Sequence, residues 1–209
     1  IKKQISNRDI RDFLETMHHH KKITEATIVE LEKAKKKLEE RIREMERALQ
    51  IESLGVPFFK PAPAKTVIRL REKIRSIYEL EISLRKLKSQ TSIPASIFIG
   101  KVGFTLPPDH FLQQNYEYSS IFLILEEAET VGEDTDLVFV IPEGLYACIY
   151  FRGTHMYSQP HVQKLHDFIL ENDYRVASDF FIRTIIDQYI SSNPDEHLTE
   201  IRVLIEPNK

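Results

Sequence analysis

IVELEKAKKKLEERIREMERAL, residues 28–49, decides how this chain is organised. Ile28, Leu31, Lys35, Leu38, Ile42, Met45 and Leu49 recur at alternating steps of three and four, the a/d seam of a coiled coil. Almost every other position from Glu30 to Arg47 is charged. A stripe this narrow cannot be covered inside its own domain, so it asks for a partner helix. Glu32 with Lys36 and Glu39 with Arg43 stand at i,i+4 in the favourable orientation and add a few tenths of a kcal/mol at most. Lys35 at an a position weakens a parallel two-stranded seam. In an antiparallel pairing its stem lies along the apolar surface and its charge reaches the edge. The expectation is a homodimer through an antiparallel coiled coil made by these seven residues.

Working outward, residues 6–17 (SNRDIRDFLETM) predict a short helix with Ser6 or Asn7 as N-cap and Asp9 in its first turn, and Thr24 or a neighbour then starts the long one. The rod ends at Leu54-Gly55-Val56-Pro57, and after Pro61-Ala62-Pro63 the texture changes. Thr66 to Leu70 predicts a strand, and Ile74, Ile77, Tyr78, Ile82, Leu84 and Leu87 a helix with apolar spacing near 3.6. Strands follow at Ile97 to Phe104 and Ser119 to Leu125. A short apolar segment, Leu137 to Ile141, leads into a second half: strand Leu145 to Phe151, helix Pro160 to Leu170, strands Phe180 to Asp187 and Glu200 to Glu206. Strand, helix, strand, strand thus occurs twice. Two such halves can pack pseudo-symmetrically, with helices on one side of the sheet and a ligand pocket at the join.

The bulk composition narrows the function classes. With 209 residues, 42% of them hydrophobic, the chain buries one ordinary core and leaves a helical appendage. A net charge of −3 does not suit a nucleic-acid binder, and the lysines at 21–22 and 33–37 read as a solvated coiled-coil face. The one cysteine, Cys148, sits in an apolar run as a small buried hydrophobe, and a lone thiol points to a reducing, cytoplasmic setting. No apolar run reaches a membrane span. The chain opens on Ile1 in amphipathic helical sequence, so it is expected to be a fragment whose start lies upstream.

Candidate chemistry is sparse. His18, His19 and His20 point about 100° apart on a helix and cannot chelate one ion well. No G-x-S-x-G motif exists, and the six glycines are spread singly rather than forming a phosphate loop. No catalytic residue, cofactor or metal site is therefore expected. Aromatics are the resource: Tyr116, Tyr118, Phe122, Tyr146, Tyr150, Phe151, Tyr157, Phe180, Phe181 and Tyr189 cluster in the second part, with no Trp. Phe180, Ile182 and Thr184 share one strand face, which mixes apolar, aromatic and hydroxyl groups and suits a flat ligand.

Ile141-Pro-Glu-Gly-Leu-Tyr-Ala-Cys-Ile-Tyr150, followed by Val162-Gln-Lys-Leu165 and Val176-Ala-Ser-Asp179, resembles the GyrI-like effector-binding domain of MerR-family transcription regulators of the BmrR type. The resemblance implies an α+β fold: a long antiparallel coiled-coil dimerisation helix followed by a duplicated β-α-β-β effector-binding domain. It implies a remnant of the DNA-binding domain over 1–18, the coiled-coil helix over 19–55 and the effector domain over 64–209. The winged helix-turn-helix would lie upstream of Ile1, so promoter DNA would be bound only by the intact protein.

Carried over residue by residue, the family's pocket tyrosine matches Tyr118, and a second pocket aromatic falls on Ile99. Ring contacts after Tyr150 fall on Gly153 and Ser158 with Tyr157 adjacent, and the polar aromatic of the last strand on His197. The acidic residue that neutralises cationic drugs falls on Ile182, which argues for neutral planar compounds unless Asp179 or Asp187 turns inward. The expected pocket is Ile99, Tyr118, Tyr146, Phe151, Tyr157, Ser158, Phe180, Ile182, Thr184 and His197. The leading reading is a ligand-sensing, multidrug-type transcription regulator, not an enzyme. Its rivals are a GyrI-like small-molecule hydrolase using Asp179, Asp187 or Glu143, and a coiled-coil scaffold whose second domain binds a protein.

Overall fold

The computed structural model describes residues 9–74, 77–90, 101–125 and 135–208. The chain divides into two compact units, Ile1–Glu46 and Arg47–Lys209. A single helix, α1 (Ile10–Leu49), accounts for the described part of the first and runs into the second.

Two expectations for this helix are corrected. The caps expected at Ser6 or Asn7 lie outside the described residues, and Asp9 caps the helix: its Oδ1 accepts from the Arg11 amide at 2.9 Å. The break before Thr24 does not exist. Nothing from Ile10 to Leu49 is Gly or Pro, and the threonines do not cap. Thr16, Thr24 and Thr27 turn their hydroxyls back onto the carbonyls of Asp12, His20 and Ile23 at 2.8–2.9 Å, which satisfies them inside a continuous helix. The seam lies open along it: Leu31, Leu38 and Leu49 are 64%, 65% and 68% exposed, and Ile28 and Ile42 are exposed too. Met45 is half-buried. Lys35 reaches not along the seam but to Glu39, 3.6 Å away.

Gly55, in the left-handed region at φ +69°, turns the chain out of the helix, and its amide donates to the Tyr150 carbonyl at 2.6 Å. The second unit then builds β1 (Phe58–Ala62), β2 (Lys65–Leu70), α2 (Ile77–Gln90), β3 (Val102–Leu106), α3 (Pro108–Leu112), β4 (Ser120–Ile124), β5 (Val138–Ile141), β6 (Gly144–Arg152), α4 (Gln159–Glu171), β7 (Tyr174–Val176), β8 (Phe180–Ile186) and β9 (Leu198–Pro207). The fold class is α+β with an antiparallel sheet in the order β1-β6-β9-β8-β3-β4-β2-β5, and β7 pairs with the far end of β9. Ile74, expected in the helix, instead forms an isolated bridge with Tyr118. The strand expected from Ile97 is described only from Val102, and it extends to Leu106.

Both helices cover one face of the sheet. On β3, Leu106 packs with Val162, Leu165 and Ile169 of α4, and Phe104, two residues earlier on the same face, packs with Leu80 and Leu84 of α2. The opposite face gathers Val67, Phe122, Ile124, Ile141, Tyr146, Cys148 and Phe181 from both ends of the strand order. The sheet is therefore curled, with this face on the inside. Close approach at one point depends on glycine: a Cβ on Gly103 would overlap the Phe122 ring. Gly103→Ala is expected to lower the unfolding free energy by about 1–3 kcal/mol in urea denaturation. Adding Phe122→Leu should restore part of that loss, and a full-sized loss in the double variant would discount the ring contact.

Candidate ligand-binding site

On the helix-covered face, the sheet carries a cavity of about 580 Å³ beside the β3–β8 junction. Its wall is formed by Ile74 and Leu80 on one side, the loop Asn115–Tyr118 beneath, and His155, Met156, Ser158 and Gln159 on the other. The chain reaches these positions for local reasons. Pro108 opens α3, whose Phe111 is buried against Tyr116 and Phe180, and Gln114 leaves it in the left-handed region at φ 57°. Three hydrogen bonds pin the loop that follows. His110 Nδ1 meets the Glu117 carbonyl at 2.9 Å, the Ile74 amide donates to the Tyr118 carbonyl at 3.2 Å, and the Ser119 amide donates to the Thr105 carbonyl at 2.9 Å.

Tyr118 ties the two walls together. Its hydroxyl donates to the His155 carbonyl at 2.8 Å and lies 3.1 Å from Ser158 Oγ, while its ring stacks on Phe104 at 4.9 Å. The His155 ring lies against the other side of this cluster, 4.3 Å from Phe104, and its amide donates to Thr184 Oγ1 at 3.2 Å. Burial pushes the Tyr118 phenol up and the His155 imidazole down to about 4, so both are neutral at pH 7. The Ser158 hydroxyl meets a phenol rather than a general base, which gives it no nucleophilic activation.

Of the ten pocket residues expected from the sequence, Tyr118 and Ser158 line this cavity. Ile99 lies outside the described residues. Phe151, Phe180 and Ile182 are buried in the core beneath α4, and Phe151 stacks on His161 at 4.0 Å. Thr184 bonds His155 and Thr199 from beneath the cavity wall, and His197 is buried with Nε2 on the Ser191 carbonyl at 3.0 Å. Tyr157 is exposed beside the turn that ends the wall. Tyr146 faces the inside of the curled sheet, its hydroxyl on the Pro142 carbonyl at 2.6 Å. The carboxylates considered for a hydrolase do not reach the cavity either. Asp179 accepts from Arg69 at 2.7 Å, Asp187 accepts from the Tyr189 amide at 2.9 Å, and Glu143 is exposed in the turn before β6.

Sequence reasoning missed Glu117, His155 and Met156. The premise that the pocket lacks a carboxylate fails with them, because Glu117 stands in its wall. It is flanked by Tyr116 and Tyr118 in a loop without strand alternation, so no periodic signal marked its side.

A second polar cluster lies on the inner face. Tyr150 donates to Glu200 Oε1 at 2.9 Å, and Arg183 lies 3.9 Å from Oε2. Burial raises the Glu200 carboxyl, but Arg183 and Arg202 outweigh it and hold the group below the usual range. Burial pushes the Cys148 thiol up to about 12, which leaves it an unreactive apolar filler. Among the described residues, no group of three or more His, Cys, Asp or Glu is placed to hold a metal ion. No described helix is long and apolar enough to cross a membrane.

No family model matches the chain, and no curated protein does. Solved structures do. EcmrR in its DNA complex aligns with a TM-score of 0.57 at 13% identity, over 95% of this chain and 78% of that one. The EcmrR C-terminal domain aligns with a TM-score of 0.55 at 14% identity, over 73% of this chain and 98% of that one. At these identities the shared property is the fold, that of the EcmrR C-terminal domain for the second unit.

The buried imidazole makes stability depend on pH. An unfolded His155 takes up its proton near 6.5 and the folded one near 4, so between these values the unfolded chain binds the extra proton. This contribution to stability is therefore fully present above 6.5 and is lost as pH falls to 4. Between neutral pH and the acid end of that window, wild type should lose about 2 kcal/mol more than His155→Phe, read by urea denaturation. Parallel losses in the two proteins would remove His155 as the cause.

Proposed function

We propose that this chain is the sensing part of a MerR-class, BmrR-like transcription regulator. It binds a planar, aromatic or apolar small molecule in its second unit and, in the intact cytoplasmic protein, couples binding to promoter DNA. The observation that carries this reading is the 580 Å³ cavity, walled by Tyr116 and Tyr118, in a domain with the fold of the EcmrR C-terminal domain. Its volume suits a drug-sized ligand and its walls combine aromatic surface with a few polar groups.

The strand order supports a duplicated β-α-β-β unit in this reading. From the centre outward, each half places its second strand, then its third, then its first: β3-β4-β2 on one side and β8-β9-β6 on the other. The cavity lies where the two copies meet. The exposed seam of α1 serves as the dimerisation surface, pairing antiparallel with a second copy, and residues 1–18 belong to the DNA-binding domain of the intact protein. Binding rather than turnover is favoured because Ser158 lacks a base, Asp179, Asp187 and Glu143 are engaged or exposed elsewhere, and the wall's own carboxylate, Glu117, is ion-paired with Lys73 at 2.9 Å.

Calorimetric titration with planar aromatic compounds tests the sensing role. Tyr118→Ala is expected to weaken their binding about tenfold, since a buried aromatic contact contributes roughly 1 kcal/mol beyond its area. No binding by any such compound at millimolar concentration would end the reading. Sedimentation equilibrium tests the rod: wild type should be a dimer, and Leu38→Glu with Ile42→Glu should be a folded monomer. A monomeric wild type at tens of micromolar, on the order of 10⁻⁵ M, would sink the dimer.

A further inference from the structure

The seam of α1 does not stop at Ile28. Because the helix is unbroken from Ile10 to Leu49, the same steps of three and four run back through Thr24, Lys21, Met17 and Leu14 to Ile10. Ile10, Leu14 and Met17 are 67%, 48% and 43% exposed, so this end lies open as the other does. One apolar stripe therefore follows the whole 40-residue helix, about 60 Å long, and only Lys21, Thr24 and Lys35 interrupt it.

Those interruptions restrict how a second copy can lie on the stripe. A parallel pair in register would set Lys21 and Lys35 each against its own counterpart, two layers of like charge. In an antiparallel pair a positions pack on d positions, so the possible registers differ by whole heptads. Full overlap, with Ile10 at the partner's Leu49, leaves every seam residue covered. A heptad shift in either direction strands two of them on each helix: Ile10 and Leu14, or Met45 and Leu49.

Full overlap also sets Thr24 against the partner's Lys35, whereas the two shifts set Lys35 against Leu31 or Met17. The Thr24 hydroxyl donates to the His20 carbonyl at 2.9 Å and keeps a lone pair for that ammonium. The flanking charges agree. The positions just after d are basic at the start of the helix, Arg11 and His18, and carboxylates from Glu25 to Glu46. Reversed on itself at full overlap, this row brings Arg11 to the partner's Glu46 and leaves Glu25 beside the partner's Glu32 as its like pair. Shifted toward the C-terminal end, it sets Glu25 on Glu39 and Glu32 on its own counterpart, a second set of repulsions in place of the Arg11 contact.

We infer that two copies pair antiparallel over the full length of α1, about a two-fold axis between Ile28 and Leu31, with Thr24 of each copy on the partner's Lys35 and Arg11 beside the partner's Glu46. The inference rests on the reading of α1 as the dimerisation helix and adds its register. Residues 10–17 then serve the dimer as well as the DNA-binding domain of the intact protein.

Cysteine pairing reads the register directly, because Cys148 is buried and burial pushes its thiol up to about 12. Full chains carrying Thr24→Cys and Lys35→Cys, co-expressed with different tags and air-oxidised, should form a mixed disulfide dimer, and neither should link to itself. A heptad shift would move the two thiols about 10 Å apart along the axis, beyond a disulfide's reach. Self-linkage of either variant would show a parallel pair, and linkage of Lys35→Cys to Leu31→Cys or Met17→Cys instead would show a shifted one. Each of these overturns the inference. By sedimentation equilibrium, Arg11→Glu should weaken the dimer about fivefold, and adding Glu46→Arg should restore it. A double variant no tighter than Arg11→Glu alone would remove that contact and the register with it. Unchanged thermal melting of the variants shows that the fold is intact. A dimer that forms no Thr24–Lys35 link overturns the register and leaves the dimer reading standing, whereas a monomeric wild type ends both.

Discussion

Two connections of two residues each hold opposite ends of the sheet together. Pro63-Ala64 leads from β1, one edge of the strand order, to β2 near the other, and Pro142-Glu143 leads from β5, the far edge, back to β6 beside β1. A two-residue link spans at most about 11 Å between the residues it joins. A flat sheet of eight strands at 4.7–4.9 Å spacing would be roughly three times as wide. The sheet must therefore curl until its ends approach, and each link carries a proline, whose fixed φ suits an extended step at a strand end. Everything else in the second unit follows from that closure.

Curling makes the two faces unequal. The inner face brings side chains from distant strands into one cluster, so Tyr146 of β6 shares a core with Phe122, Phe181 and Ile141. Its charged groups are compelled to pair. Arg69 holds Asp179, and Arg202 lies over the rings of Tyr146 and Phe181 at 5.6 and 6.0 Å. The outer face spreads instead, and α2 and α4, of 14 and 13 residues, pack over different halves of it. The gap that they leave falls beside the β3–β8 junction. Tyr118 crosses it to His155 and Ser158, which keeps the gap open as a cavity with defined walls.

The repeating signals were legible and the local ones were not. The seam from Ile28 to Leu49 could be read because a period of three and four has one structural meaning. The long strands around Ile121, Ile149 and Ile182 were marked by unbroken apolar runs, as expected for segments buried on both faces. Phe58–Ala62 escaped because Pro61 looks like a breaker, although an edge strand tolerates it. The continuity of α1 through the three histidines escaped because threonine can either cap a helix or bond back within it, and only coordinates tell which. The cavity was half legible. Tyr118 and Ser158 came from family resemblance, whereas Ile182 was placed correctly in a strand but lies sealed beneath α4. Glu117 and His155 sit on irregular backbone, where no periodicity states which way a side chain points.

The placement of those two residues bears on how occupancy could be signalled. Glu117 belongs to the loop that leads into β4, in the first half of the sheet, and His155 to the turn after β6, in the second. A ligand that touched both would contact both halves at once, across the junction that the β3–β8 ladder, the Tyr118 bonds and the Arg69–Asp179 ion pair already bridge. A ligand shifts a conformational equilibrium only by its difference in affinity for the two states. A ligand held by one half alone would have little such difference to offer for a change in how the halves meet. One that bridges them does, because any opening of the junction would cost it the bonds on one side. The cavity meets that requirement in its geometry, because its wall draws Glu117 from the first half and His155 from the second.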